Sequence, residues 1–387
     1  MGLLPSSACG APCAEPAVAS RSGVAPKARV ASALRAAAPA GDRHMGMWRR
    51  QYEVSKESQD LLTAVRAGED FLVGKLLRNI AVPDCCDSAG ATPLHAACDA
   101  GRGDIVRLLL RHAASVDAPG GLLFDGPPCA LAAKRGHAEC LKHLLDARAA
   151  PESVACPELF TCVHLAAAEG HLSCLRVLFG AHKPTARVAE RGALEDTIFG
   201  VEDLVANFPD ASGRLPLHAA AAAGHAECLE ALVREGFSLL DEVDSEGDGA
   251  IHIAALALDE QVGAEMCGIL AEGGCDLNLG TACDDTALHL AAEHGRAGIC
   301  GVLLQRAADA NVVEAVTGRT PLHLAARGEH LGICQQLLEA RADAHAADEA
   351  SHGTAWAYAH SQPCRELLFR AMWGAERESY EVTCERT

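Results

Sequence analysis

Large aromatic side chains are nearly missing from this chain: Phe, Tyr and Trp make up 4 % of 387 residues, although 49 % of the residues are hydrophobic. A core with so few rings must be filled by Ala, Val, Leu and Cys, which suits helices packed close together. No apolar run approaches the 18 or more residues of a membrane-spanning helix. Basic residues are also in short supply, 33 Lys and Arg against 52 Asp and Glu, for a net charge of −19. That balance argues against a non-specific nucleic-acid binder, which needs a basic footprint, and suits basic protein partners or simple solubility of a long surface. Eighteen cysteines are present, yet no CxxC pair is matched by a second one, so a zinc site is not expected. Nucleophile elbow, phosphate-gripping glycine loop, HExxH and kinase signatures are all lacking, and neither catalysis nor a cofactor is expected.

What is there is repetition. The segment from Gly318 to Asp348 contains Thr320-Pro321-Leu322-His323, with Thr320 in an N-cap position and Pro321 at the first helical one. Leu322, Ala325 and Ala326 follow at helical spacing. Leu331, Ile333, Cys334, Leu337 and Leu338 form the apolar stripe of a second helix. Such a pair cannot bury its faces alone and needs copies on both sides. Copies begin at Thr92-Pro93-Leu94-His95, Val163-His164, Leu217-His218, Ile251-His252 and Thr286-Ala287-Leu288-His289. The residue expected to close the first helix falls at Gly68, Gly101, Gly136, Gly170, Gly224, Leu258, Gly295, Glu329 and Pro363. Its steps are 33, 35, 34, 54, 34, 37, 34 and 34.

A period near 33 with a TPLH core resembles the ankyrin-repeat family, from about Glu57 to Ala375. The resemblance implies an all-α solenoid of helix–turn–helix repeats with β-hairpin-like finger loops. It also implies that His95, His164, His218, His252, His289 and His323 tie loop to helix by hydrogen bonds. A catalytic or metal role would need partners closer than one repeat. The function it implies is non-catalytic: a scaffold or adaptor that holds a protein partner on its finger loops and concave helix face. Polar residues before the closing position, Asp99, Lys134, Arg135, Glu169, Glu293, His294 and Arg327, are candidates for that contact, or are simply exposed. Cys140, Cys174, Cys228, Cys300 and Cys334 recur at the repeat period on the second helices, where they read as small buried hydrophobes too far apart for disulfides. So many unpaired thiols point to a reducing compartment, and the expected location is cytoplasmic.

Other stretches depart from the pattern. The step of 54 suggests a degenerate repeat over 183–212 or an insertion projecting from the stack. An enzyme site in the 180–212 stretch is the weakest alternative, because no Cys accompanies its Glu190, Glu195, Asp196, Glu202 and Asp203. Asp244-Ser245-Glu246-Gly247-Asp248-Gly249 imitates the start of a calcium loop but has Ala255 where the twelfth position needs Glu. Residues 1–56 read as a tail, with a net +5 over the first 50 against −24 for the remainder, and residues 376–387 as a second tail. Met1-Gly2-Leu3-Leu4-Pro5-Ser6 fits an N-myristoylation pattern, and Cys9 and Cys13 could carry the second acyl chain that stable membrane association needs. A cleaved organellar transit peptide and an unstructured tail are the other two readings. A monomer is expected.

Overall fold

A computed structural model of the chain describes residues 56–374, apart from 80–81, 88–89, 121–125, 152–158, 182–206 and 236–238. The described residues form nine helix pairs. These are α1 (Lys56–Ala67) with α2 (Asp70–Asn79), α3 (Pro93–Asp99) with α4 (Gly103–Arg111), and α5 (Pro128–Lys134) with α6 (Ala138–Asp146). Next come α7 (Cys162–Ala168) with α8 (Leu172–Ala181), α9 (Pro216–Ala223) with α10 (Ala226–Arg234), and α11 (Ala250–Ala255) with α12 (Glu260–Glu272). The last three are α13 (Ala287–Glu293) with α14 (Ala297–Gln305), α15 (Pro321–Arg327) with α16 (Leu331–Glu339), and α17 (Ala355–Tyr358) with α18 (Gln362–Trp373). Isolated bridges Val243–Gly249, Gly280–Thr286 and Ala347–Thr354 close hairpin fingers ahead of α11, α13 and α17.

Most of these helices are shorter than the dozen or so residues at which an isolated helix becomes even marginal in water, so stacking must hold them. Each first helix packs on the first helix of the next pair, and the second helices do the same. Leu109, Leu144, Leu178, Leu232, Leu303 and Leu337 occupy one position of successive second helices and are 0–1 % exposed. Each such burial is worth about 1.5–3 kcal/mol. The sharp turn within a pair comes from the closing residue, which adopts left-handed backbone at Gly68, Gly101, Gly136, Gly170, Gly224 and Gly295, and also at Glu329, with φ 60°. A side chain at Gly136 would meet more than strain, because its Cβ would lie 2.6 Å from the ring of His171 in the next repeat.

At three places the structure decides what spacing alone did not. Across the step of 54, α7 packs directly on α9 and α8 on α10, and His164 bonds to the carbonyl of Arg214. The faces that a repeat inside 183–212 would have to fill are thus filled by each other, and the stack has no intervening layer there. The segment 182–206 itself lies outside the described residues. The step of 37 is absorbed as helix: α12 has 13 residues where α10 and α14 have 9, and Asp259 caps its start by accepting from the N–H groups of Gln261 and Val262. Finally, Pro363 does not close a first helix. It stands inside α18, because α17 is only four residues long and Ala359 turns the chain out into extended backbone.

Candidate binding surface

The six histidines sit where finger meets first helix, and all are buried, between 0 and 1 % exposed. In each repeat, backbone N–H of the N-cap residue donates to the ring Nδ1, at 3.3 Å for Thr92 to His95 and 3.0 Å for Leu215 to His218. An N–H can only donate, so Nδ1 is the unprotonated nitrogen and Nε2 carries the hydrogen. Nε2 then donates forward to a carbonyl of the following finger: His95 to Gly126, His164 to Arg214, His218 to Glu242, His252 to Leu279, His289 to Arg319 and His323 to Gly353. Where the N-cap is Thr, its hydroxyl also reaches Nδ1, at 2.8–2.9 Å in the boxes of Thr92, Thr161, Thr286 and Thr320. The histidine therefore links three elements rather than one loop and one helix. Burial lowers the pKa of each ring, for His95 to about 4.

A second set of histidines escaped the sequence reading. His137 donates from Nε2 to the carbonyl of Asp99, His171 to that of Lys134, and His330 to that of Glu293, each one repeat back. Their rings lie over the left-handed glycines of the preceding repeat, as does that of His225 over Gly170. The recurrence of Gly-His at 136–137, 170–171 and 224–225 was the visible signal. A third ladder joins the bases of the fingers: Asp84 accepts from the N–H of Ser115, Asp117 from Ala150, Asp241 from Asp276, Asn278 from Asp309 and Asn311 from Asp343.

The polar residues proposed for partner contact divide. Arg135 pairs with Asp99 at 2.8 Å, and Arg327 pairs with Glu293, both across neighbouring repeats. His294 bonds to the carbonyl of Leu290 in its own helix. Lys134 and Glu169 are exposed and make no ion pair among the described residues. Between the two ion pairs, the ends of the first helices present Ala222, Ala223 and Leu258, the last 92 % exposed. The fingers of the C-terminal half differ in character. Val313 and Val316 project from one finger, 52 % and 67 % exposed, with Asp284 and Glu349 exposed on the fingers either side. Burial and the neighbouring Glu314 carboxyl, in hydrogen-bond contact, push the pKa of Asp285 up.

The calcium-like run has another use. Asp244 is buried, accepts from the N–H groups of Glu246 and Asp248 and takes the Arg214 guanidinium at 3.0 Å, so its oxygens organise the finger turn. Cys140, Cys174, Cys228, Cys300 and Cys334 are 0–1 % exposed in the core, and burial pushes their thiols up, to about 11 for the first three and about 12 for the other two. Gly2, Cys9 and Cys13 lie outside the described residues. Among the described residues no helix is long and apolar enough to cross a membrane.

Helix pairs of this length, hairpin fingers and histidine boxes at the repeat period define the ankyrin solenoid. Family models agree: a model of three ankyrin repeats matches residues 188–281 and 256–348, and a single-repeat model matches 89–120. The first match begins at residue 188, so repeat-like sequence extends into the 182–206 segment although α7 and α9 meet directly. The chain belongs to the ankyrin-repeat family. Ankyrin repeats are generally protein–protein interaction modules and typically non-catalytic.

Proposed function

We propose that this protein is a non-catalytic scaffold or adaptor that docks a protein partner on the fingers ahead of α13, α15 and α17 and on the neighbouring first-helix ends. The observation that supports this reading is the pair of exposed valines, Val313 and Val316, set between acidic fingertips. Most branched apolar residues of the stack are spent on the core, and stability alone gives no reason to project two on one loop. The partner segment is basic and carries an apolar anchor. An Arg or Lys from it would replace the proton that Asp285 tends to hold beside Glu314, and charge complementarity would speed encounter. Lys134, Glu169 and Leu258 extend the surface toward the N-terminal repeats. Asp99, Arg135, Glu293 and Arg327 serve chiefly each other.

The test is quantitative affinity purification from the native cell, comparing the wild-type chain with a Val313→Asp, Val316→Asp variant of equal thermal stability. A specific partner should be lost at least about tenfold in the variant and should elute as salt rises. Equal recovery by both chains would reject this surface.

A further inference from the structure

Aromatic side chains are scarce in this chain, with three Trp, three Tyr and eight Phe in 387 residues, yet Trp356, Tyr358, Phe369 and Trp373 all stand on the last described helix pair. Packing of the stack does not account for all four. Trp356, Tyr358, Leu367 and Met372 lie against the buried core, whereas Phe369 and Trp373 lie on each other, with ring centroids 4.7 Å apart. Trp373 is 51 % exposed, and its ring meets that of His345, on the finger ahead of α17, edge to face at 6.5 Å. The second helices α4, α6, α10, α14 and α16 close on Arg111, Asp146, Arg234, Gln305 and Glu339, but α18 closes on Trp373. Helix stacking gives no reason for an exposed ring where a polar residue serves elsewhere.

Two cations share this face. Arg365, Phe369 and Trp373 are spaced i, i+4 and i+8, so they lie along one side of α18 over about 12 Å of helix axis. The Arg365 guanidinium sits 5.0 Å over the ring of Trp356, and its Nε donates to the carbonyl of Ala359. Arg370, next to Phe369, is exposed. Neither arginine makes an ion pair among the described residues, although the chain holds 52 Asp and Glu against 33 Lys and Arg. The one carboxylate of α18, Glu366, takes the amide of Gln362 at 2.8 Å. Trp, Phe and Arg, gathered and only partly buried, are the residue types that protein interfaces concentrate at their centres.

We infer that this face of α18 is a second docking surface, one that takes an acidic segment of a partner protein. An apolar side chain of the segment lies on the Phe369 and Trp373 rings, and its carboxylates pair with Arg365 and Arg370, whose guanidinium forks match that geometry. Charge selects the occupant: arginines without counter-ions beside an exposed ring favour Asp or Glu flanking an apolar anchor, and the acidic remainder of the chain disfavours such a segment at other places. The fingers around Val313 and Val316 present carboxylates, whereas this face presents guanidinium groups. The two surfaces therefore accept partners of opposite charge, and one chain can hold both together. The inference stands on α18 and its neighbours and does not depend on the finger surface.

Peptide display on the full-length chain tests this. A random-peptide library selected on the wild type should enrich sequences in which several Asp or Glu flank a large apolar residue. An enriched peptide should bind at least about tenfold more weakly to Trp373→Ser and to Arg370→Glu chains, and its affinity for the wild type should fall as salt rises. Arg370→Glu changes an exposed side chain, so it keeps the test open where Trp373→Ser lowers thermal stability. The Val313→Asp, Val316→Asp chain should bind the peptide as the wild type does. Enrichment of no acidic sequence, or affinity unchanged in both α18 variants, would overturn the assignment; so would loss of binding in the finger variant, which would put the peptide on the fingers. Two other occupants have their own signatures. Replacing Glu376, Glu378, Glu381 and Glu385 together by Gln should leave the affinity unchanged, and a rise of about tenfold would make the chain's own last residues the occupant. Sedimentation of the wild type should not depend on concentration, and self-association abolished by Trp373→Ser would make a second copy the occupant. Either result would overturn the assignment.

Discussion

The repeats from α3 to α16 and the last described pair, α17–α18, are built from the same motif and differ in whether another repeat stands after them among the described residues. Except in α5, where Ala130 replaces the histidine, each inner first helix is held twice over. Its histidine box, as at His164 and His289, fixes its own start, and the same ring grips a carbonyl in the finger of the next repeat. The last repeat has Thr354 and Ala355 in place but Ala357 where the histidine would stand. No later finger exists among the described residues for an Nε2–H to reach. Its first helix stops after four residues, and its finger is organised instead by Asp348, which accepts from Ser351, Gly353 and Tyr358. The motif residue is thus a joint between repeats, and where Ala357 replaces it no later finger stands among the described residues.

Substitutions can sharpen or break that contrast. The largest effect should come from the shared core: Leu144→Ala should destabilise by about 2–5 kcal/mol in urea unfolding, while Leu258→Ala, 92 % exposed, should stay within about 0.5 kcal/mol. Next in size is Gly136→Ala, which combines about 1–2 kcal/mol of left-handed strain with displacement of His171. The same change at Gly224, also left-handed but meeting only Val262 at an ordinary 3.7 Å, should cost the strain alone. A Gly136 variant no worse than the Gly224 variant would remove the inter-repeat role of the Gly-His pair.

The histidine joint should come third. His164→Ala should cost about 1–2 kcal/mol, and Ala357→His in the last repeat should gain nothing measurable. Acid should act on the same joints. Each ring is held neutral in the fold with a pKa below its ordinary value, so the unfolded chain binds more protons as pH falls. Stability should be full above pH about 6.5 and decline toward pH 4, by up to about 1.4 kcal/mol per pH unit for each histidine. A thermal-denaturation profile flat from pH 7 to 4.5 would contradict this. The smallest effect belongs to the surface: Asp99→Ala and Arg327→Ala should each cost under about 1 kcal/mol and less in high salt, since both pairs are partly exposed.

Much of this was legible in the chain. Helix pairs, N-caps and turns follow from the 34-residue recurrence of Thr-Pro-Leu-His and of the closing glycine, because those residues act locally. The ion pairs were legible in principle too: Asp99 and Arg135 are 36 residues apart, Glu293 and Arg327 are 34, and opposite charges at one repeat's distance face each other across a stack. What could not be read was the step of 54. Spacing measures distance along the chain, whereas layering depends on which faces meet, and a run with helix-like apolar spacing looks the same whether or not it stands in the stack. The short α17 was hidden for a similar reason, since Glu329 reaches the N–H groups of His360 and Ser361 and ends that helix from the repeat before.

The direct seating of α9 on α7 has a consequence for how the molecule could come apart. The covalent link across that boundary, residues 182–206, is not the link that holds it: helix faces and the bond from His164 to Arg214 do so. Lengthening such a connection costs only about 0.6 kcal/mol per doubling. Cutting it would turn one polypeptide into two complementary fragments whose shared boundary is already formed, and their separation would then be a matter of dilution and not of cleavage.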